Sequence, residues 1–225
     1  MATSATNAEQ NVGEILSRSE KFIETYRKQI ITGIGAIILL VVLVMGIRYF
    51  YLIPKEREAE NMIFKGENYF SQTRWDIALY GDSIDYLGFE EIINQYGFTK
   101  TANLAKAYAG ICYYKTGDLE SAVKYLKKFS AGDKMISPAI TALIGDCMVD
   151  MGKVKEGISC FIKAANKADN PLLSPLYLKK AGLAYESEQE YGKALGVYTR
   201  IKEKFPTSQE GNTIDKYIDR VRAMQ

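Results

Sequence analysis

An all-α chain, a helical solenoid preceded by a single transmembrane helix, is the fold class this sequence predicts. Two observations carry it. Residues Ile30 to Ile47 read IITGIGAIILLVVLVMGI, 18 residues without a charge. Beyond them one spacing recurs three times: a glycine, a small residue twelve positions later, and a bulky residue four positions after that. In each copy two stretches of helical period flank a short polar turn, the mark of a repeated helix pair.

The elements follow in chain order. Met1–Gln10 is small and polar and is expected to lack order. Val12, Ile15, Leu16, Phe22, Ile23 and Tyr26 then fall on one helical face within a tail spanning 1–29. Two readings of that face stay open. It is a helix that leads into the span or lies on lipid, or it is a docking helix for a membrane partner. The anchor is assigned to residues 30–53. A helix of 18 residues reaches ~27 Å, close to the ~30 Å hydrocarbon core. Arg48, Tyr49, Phe50 and Tyr51 supply a cation that snorkels and rings suited to the interface. Pro54 is expected to discourage straight continuation of the helix.

A cleaved signal peptide does not fit. The apolar run is too long for an h-region, and Arg48–Ile53 stands where small cleavage-site residues belong. The charge count near the span is a tie: Arg18, Lys21, Arg27 and Lys28 before it, Arg48, Lys55, Arg57 and Lys65 after it. Long domains translocate with little regard to charge, so the expectation is a tail left in the cytoplasm and an exported C-terminal part.

The repeat is read from Gly110–Ala122–Leu126, Gly145–Gly157–Phe161 and Gly182–Ala194–Tyr198. Two antiparallel helices approach closely only where both are small, and the bulky residue fills the space beside the crossing. Ser137-Pro138 and Ser174-Pro175 each stand seven residues before their glycine and predict helix starts, serine as N-cap and proline as first helical residue. Pro206 closes the last pair. A degenerate copy precedes these, with Gly66, Ala78, Tyr69 and Trp75 in place. There Asp82 occupies the expected aromatic position, and Tyr80–Gly88 reads as an insertion before a helix at Phe89–Tyr96. The insertion is either a functional surface loop or a neutral one. Residues 207–225 supply a last helix, with Ile214, Tyr217, Ile218 and Val221 on one face, to cover the open end.

The stretch Tyr113-Tyr114-Lys115-Thr116-Gly117-Asp118-Leu119-Glu120-Ser121-Ala122-Val123-Lys124-Tyr125-Leu126 resembles the tetratricopeptide repeat (TPR). The resemblance assigns three repeats to 103–206 and a degenerate one to 54–102. It also implies a groove lined by first helices. Its groove positions fall on Ile63, Glu67 and Phe70; Ala107, Ile111 and Tyr114; Ala142, Asp146 and Val149; and Lys179, Leu183 and Glu186. A carboxylate clamp for a chain terminus needs asparagine where this chain has Glu67, Ile111, Asp146 and Leu183. The implied ligand is instead an extended polypeptide segment with apolar and basic residues. The order of tail, span and repeats is similar to YfgM-like ancillary translocon proteins. That implies a scaffold at the bacterial inner membrane, beside the translocon or periplasmic chaperones. An envelope-assembly adaptor is the alternative.

Composition narrows the chemistry. The chain has no histidine, which excludes imidazole bases and histidine metal sites. Cys112, Cys147 and Cys160 form no C-x-x-C pair and read as small apolar residues. Asp82 and Asp85 read as solvated loop acids. With 29 Lys+Arg against 27 Asp+Glu, no nucleic-acid footprint is present. No catalytic site, cofactor, metal or small-molecule substrate is expected.

Overall fold

The computed structural model of the chain describes residues 3–82 and 84–225, with side chains from Thr25 onward. Lack of order is expected over Met1–Gln10, but the backbone is helical from Thr3; the face from Val12 to Ile23 lies outside the described side chains. The chain divides into two compact units at Pro54/Lys55. The first unit contains α1 (Thr3–Ile47). Its apolar window has a mean hydropathy of 2.9, contains no buried residue, and is long and apolar enough to cross a membrane. Helical structure does not stop at Pro54. A π-turn covers Arg48–Leu52, with the Ile53 N–H donating to the Arg48 carbonyl, and α2 (Ile53–Ser71) follows directly. Pro54 has no N–H to offer the preceding turn. The π-turn shifts the hydrogen-bond register just before the ring, so the helix continues where the sequence predicts a break.

The second unit is an all-α, TPR-like helical-repeat solenoid. Its elements are α3 (Trp75–Tyr80), α4 (Phe89–Gln95), α5 (Lys100–Thr116), α6 (Leu119–Leu126), α7 (Ile136–Asp150) and α8 (Val154–Ala168). α9 (Ser174–Ser187), α10 (Tyr191–Lys204) and α11 (Asp215–Ala223) complete it. The pairs α5/α6, α7/α8 and α9/α10 close at the predicted glycines. A Cβ built on Gly110 would stand 2.5 Å from Leu126, and one on Gly145 would stand 2.7 Å from Phe161. On Gly182 the obstacle is the Tyr198 ring. Ala122 and Ala194 are fully buried opposite.

The turns between paired helices repeat one hydrogen-bond pattern, seven residues after each glycine. Gly117, Gly152 and Gln189 all take positive φ, 89°, 75° and 59°. The N–H groups of Gly117, Gly152 and Gln189 donate to Tyr114, Val149 and Glu186 at 3.3, 2.8 and 2.9 Å. The next N–H donates one residue further back, to Tyr113, Met148 and Tyr185. This is a Schellman closure, which satisfies the orphan carbonyls of the first helix.

The degenerate copy obeys the same rule. Thr73, seven residues after Gly66, has φ 60°, and Thr73 and Arg74 donate to Phe70 and Tyr69, both at 3.0 Å. Its second helix is split into α3 and α4. The space that Asp82 leaves unfilled beside Gly66 is taken by Tyr86 and Phe89 from beyond the insertion, with Phe89 2.5 Å from a Cβ built on the glycine. Asp82 is no solvated acid. Its Oδ1 accepts the N–H groups of Ile84, Asp85 and Tyr86, each at 3.0 Å, and its Oδ2 accepts the Tyr69 hydroxyl at 2.8 Å. Asp85 accepts Lys65 Nζ at 2.5 Å. Glu90 of α4 accepts the hydroxyls of Tyr113 and Tyr125 at 2.6 and 2.5 Å, docking the displaced half-helix on α5 and α6.

Helix starts differ from expectation at two places. Ser137 and Ser174 lie inside α7 and α9 rather than capping them. Asp133 accepts the N–H groups of Met135 and Ile136 at 2.7 and 2.5 Å, and Asn170 accepts those of Leu172 and Leu173 at 3.0 and 2.8 Å. At α7 the longer Asp133 side chain reaches the first helical N–H from upstream, and at α9 the Asn170 side chain holds the turn that leads into the helix. Ser174, buried, receives the Asn170 N–H and donates to the Ala165 carbonyl at 2.8 Å. Cys112 and Cys147 are buried, Cys160 half-buried, and burial pushes the Cys112 and Cys147 thiols up to about 12 and about 11. The apolar core runs through the unit in two clusters that meet on α7, where Met148 faces one and Ala142 the other. Ile214, Ile218 and Val221 add α11 to the second cluster.

Candidate protein-binding face

The twelve carried-over positions fall into three rows along α2, α5, α7 and α9, and the rows differ in what they expose. In the first row Ile63, Ala107 and Ala142 are buried between neighbouring helices, at 6%, 4% and 3% exposure. Their side chains are consumed by packing. Lys179, the fourth member, lies with its ammonium 5.1 Å from the Tyr217 ring of α11.

The second row is used to join one repeat to the next. Glu67 accepts the Tyr108 hydroxyl at 3.0 Å. Asp146 accepts Lys180 Nζ with both oxygens, at 2.8 and 2.7 Å. Tyr108 and Lys180 each stand two residues before the glycine of the following repeat. Acid in one repeat and donor in the next therefore meet by register. Ile111 is apolar at the same position and belongs to one cluster with Leu143, which stands two residues before Gly145. Leu183, in the last pair, is 43% exposed.

In the third row Phe70 is held edge-on by Trp75 and Tyr108, with ring centroids at 5.1 and 4.9 Å. Val149 packs against Gly157, within 2.5 Å of a Cβ built there. Glu186 is gripped by Arg220 of α11 at 2.9 and 2.7 Å, and it accepts the Tyr198 hydroxyl at 2.5 Å. Burial, with Glu186 adding to it, pushes the Tyr198 hydroxyl far up. Tyr114 is half-buried. Burial raises its pKa first, and the carboxylates of Asp150 and Asp146 raise it further.

The face is thus less acidic than the sequence implies, since Asp146 and Glu186 are neutralised from within. Leu183 is exposed, Ile111 and Tyr114 are half-buried, and the exposed Asp150 lies beside Tyr114. Sequence reasoning missed Tyr108, Lys180 and Arg220 as the groups occupying the acids. The signal was available, because all three lie 34 or 41 residues beyond their acids, about one repeat length. A cleft of about 280 Å³ between α6, α7 and α8, lined by Ile140, Ile144, Cys160 and Lys167 among others, contains none of the twelve. Among the described residues no group of three or more Cys, Asp or Glu is placed to hold a metal ion.

Comparison with known proteins agrees with this architecture. The tetratricopeptide repeat family profile matches residues 108–131 and 178–208, within α5/α6 and α9/α10. A TPR repeat-containing protein of Methanocaldococcus jannaschii is 29% identical over 120 residues, 53% of this chain. The match covers 20% of that protein's length. Two crystal structures of nearly identical TPR-like repeats, named for a kinesin light chain of Podosopora anserina, superpose with a TM-score of 0.51. They are 11% and 12% identical, and the match covers 77% of this chain and 85% and 86% of theirs. These likenesses carry the repeat fold. The similarity to ancillary translocon proteins rests on the order of tail, span and repeats alone.

Proposed function

We propose that this TPR-repeat chain, anchored by α1, is a membrane-bound scaffold that holds extended polypeptide segments on the α5–α7–α9 face. The observation that supports the reading is that Leu183 is exposed and Ile111 and Tyr114 stay half-exposed on the same face, while Glu67, Asp146 and Glu186 beside them are held in bonds to the next element. Apolar side chains of the ligand supply the affinity, at ~25 cal/mol per Å² buried. Asp150 beside Tyr114 selects a basic residue and sets register. The internal neutralisation of Asp146 and Glu186 favours a mainly apolar segment over a strongly basic one.

The proposed setting is the bacterial inner membrane, with the repeats on the periplasmic side, near the secretory translocon or its chaperones. The test is a crosslinking pull-down of the full chain in detergent, comparing wild type with Tyr114→Ala combined with Leu183→Asp. These positions leave the Asp146–Lys180 bond intact, so loss of capture reports the face rather than unfolding. Undiminished capture by the double variant sinks the face. Recovery of outer-membrane or cell-wall machinery in place of translocon subunits sinks the secretory assignment and favours an assembly adaptor. Protease added to intact spheroplasts is expected to digest beyond Pro54. Protection until lysis reverses the topology.

A further inference from the structure

We propose that the edge of the solenoid where α5, α7 and α9 begin is a docking surface for anionic lipid headgroups. It rests on reading α1 as a membrane anchor and is independent of the peptide-binding face.

Hydrogen bonds join this edge into one strip. Glu56, at the start of α2, accepts the N–H groups of Lys100 and Thr101 at 3.0 and 2.9 Å. Asn103 exchanges bonds with Ser130, at 2.8 and 3.1 Å. Asn170 Nδ2 donates to the Lys134 carbonyl at 3.3 Å. Along the strip Met135, Ile136 and Leu172 stand 50%, 53% and 66% exposed, on loops that the last bond holds side by side. Lys100, Lys127, Lys128 and Lys134 are exposed around them. Of the acids in the two loops, Asp133 is turned onto the start of α7, and Asp169 lies 3.6 Å from Lys134.

The opposite edge, at the turns between paired helices, has another character. It mixes Asp118, Glu188 and Glu190 with the exposed cations Arg74, Lys115, Lys153 and Lys193, and its exposed large apolar side chain is Met224, which shares a cleft with Glu190 and Lys193. A cluster of three exposed apolar side chains rimmed by four lysines, with Asp133 and Asp169 already engaged, matches an anionic headgroup layer, which takes both groups at once. The covalent path selects the same edge. Glu56 follows the apolar run, which ends at Ile47, by nine residues, and it binds the start of α5 on this strip. A tethered surface acts at high effective concentration, so weak lipid affinity suffices.

The test uses the full chain in vesicles carrying brominated lipid. Trp75, the one tryptophan of the chain, follows the turn on the opposite edge and is the internal control. Ile136→Trp and Leu172→Trp each add an emission. In vesicles containing phosphatidylglycerol that emission is expected to shift blue and lose most of its intensity, while that of Trp75 is unchanged. Raising salt to about 1 M, where the screening length is ~3 Å, restores it. So does Lys128→Glu combined with Lys134→Glu. Added emission that stays red and unquenched overturns the proposal and places the edge in water or against protein. Equal quenching in purely zwitterionic vesicles overturns the anionic assignment. A chain that does not float with vesicles overturns the anchor as well.

Discussion

Gln189 takes a backbone conformation that two of its repeat counterparts give to glycine. Its φ of 59° places it in the left-handed region, where a side chain costs ~1–2 kcal/mol. Thr73, at φ 60°, is β-branched and strained at the equivalent turn. Gln189→Gly is therefore expected to raise stability by about 0.5–1 kcal/mol, the strain relieved exceeding the entropy glycine adds to the unfolded chain. A urea midpoint at or below the wild-type value refutes it. Glycine has the opposite meaning at the crossings. Gly145→Ala is expected to cost ~1–3 kcal/mol, because the buried Phe161 ring lies 2.7 Å from the new Cβ and Cys160 lies 3.1 Å from it. Gly196 in α10 has nothing within 4 Å of its built Cβ, so Gly196→Ala is expected to stabilise by ~0.5–1 kcal/mol. If both variants shift the midpoint in the same direction, the assignment of crossing points is mistaken.

Among the elements, the Tyr80–Gly88 insertion is folded around the Asp82 carboxylate, with Lys65–Asp85 and Tyr86–Ala78 bonds beside it. Hydrogen bonds from the Ile84 and Tyr86 N–H groups, then from the Tyr69 hydroxyl, keep the Asp82 carboxyl well below the usual carboxylate range. A depressed folded pKa contributes stability that is present above the unfolded value, ~3.9, and is lost as pH falls through the folded one. Asp82→Ala is expected to lower the urea midpoint by a constant amount from pH 7 to about 5, and the gap closes in acid below about 4. A gap that persists unchanged into strong acid means that the clamp acts through shape and not through charge. At α7, Asp133→Ala is expected to lower the melting temperature, because the N–H groups of Met135 and Ile136 lose their acceptor. Equal stability in thermal melts returns the capping role to Ser137.

At the scale of the molecule, both apolar clusters draw only on residues from Ala59 onward. Removal of residues 1–53 is therefore expected to leave a soluble, helical, monodisperse domain, since α11 already covers the end of the stack. Aggregation of the truncated chain, read by size-exclusion chromatography with light scattering, would show that apolar surface near the start of α2 needs the missing segment.

The helix long and apolar enough to cross a membrane and the repeat register were determined by the sequence alone. A run of 18 uncharged residues admits few environments, and the Gly-to-small interval is a one-dimensional record of where two helices touch. The degenerate copy was visible by the same interval, although Asp82 hid the way its crossing is filled. That filling comes from Tyr86 and Phe89, across an insertion whose path no local pattern dictates. The helix through Pro54 and the caps at Asp133 and Asn170 were likewise decided in three dimensions. In each case several nearby groups could satisfy the same backbone donors, and geometry selected one. The binding face shows the largest gap between the two levels. Sequence places Glu67, Asp146 and Glu186 on a ligand surface by position, but their charge is available only if nothing else reaches them. Tyr108, Lys180 and Arg220 do reach them, because stacking brings residues one repeat apart within hydrogen-bond distance.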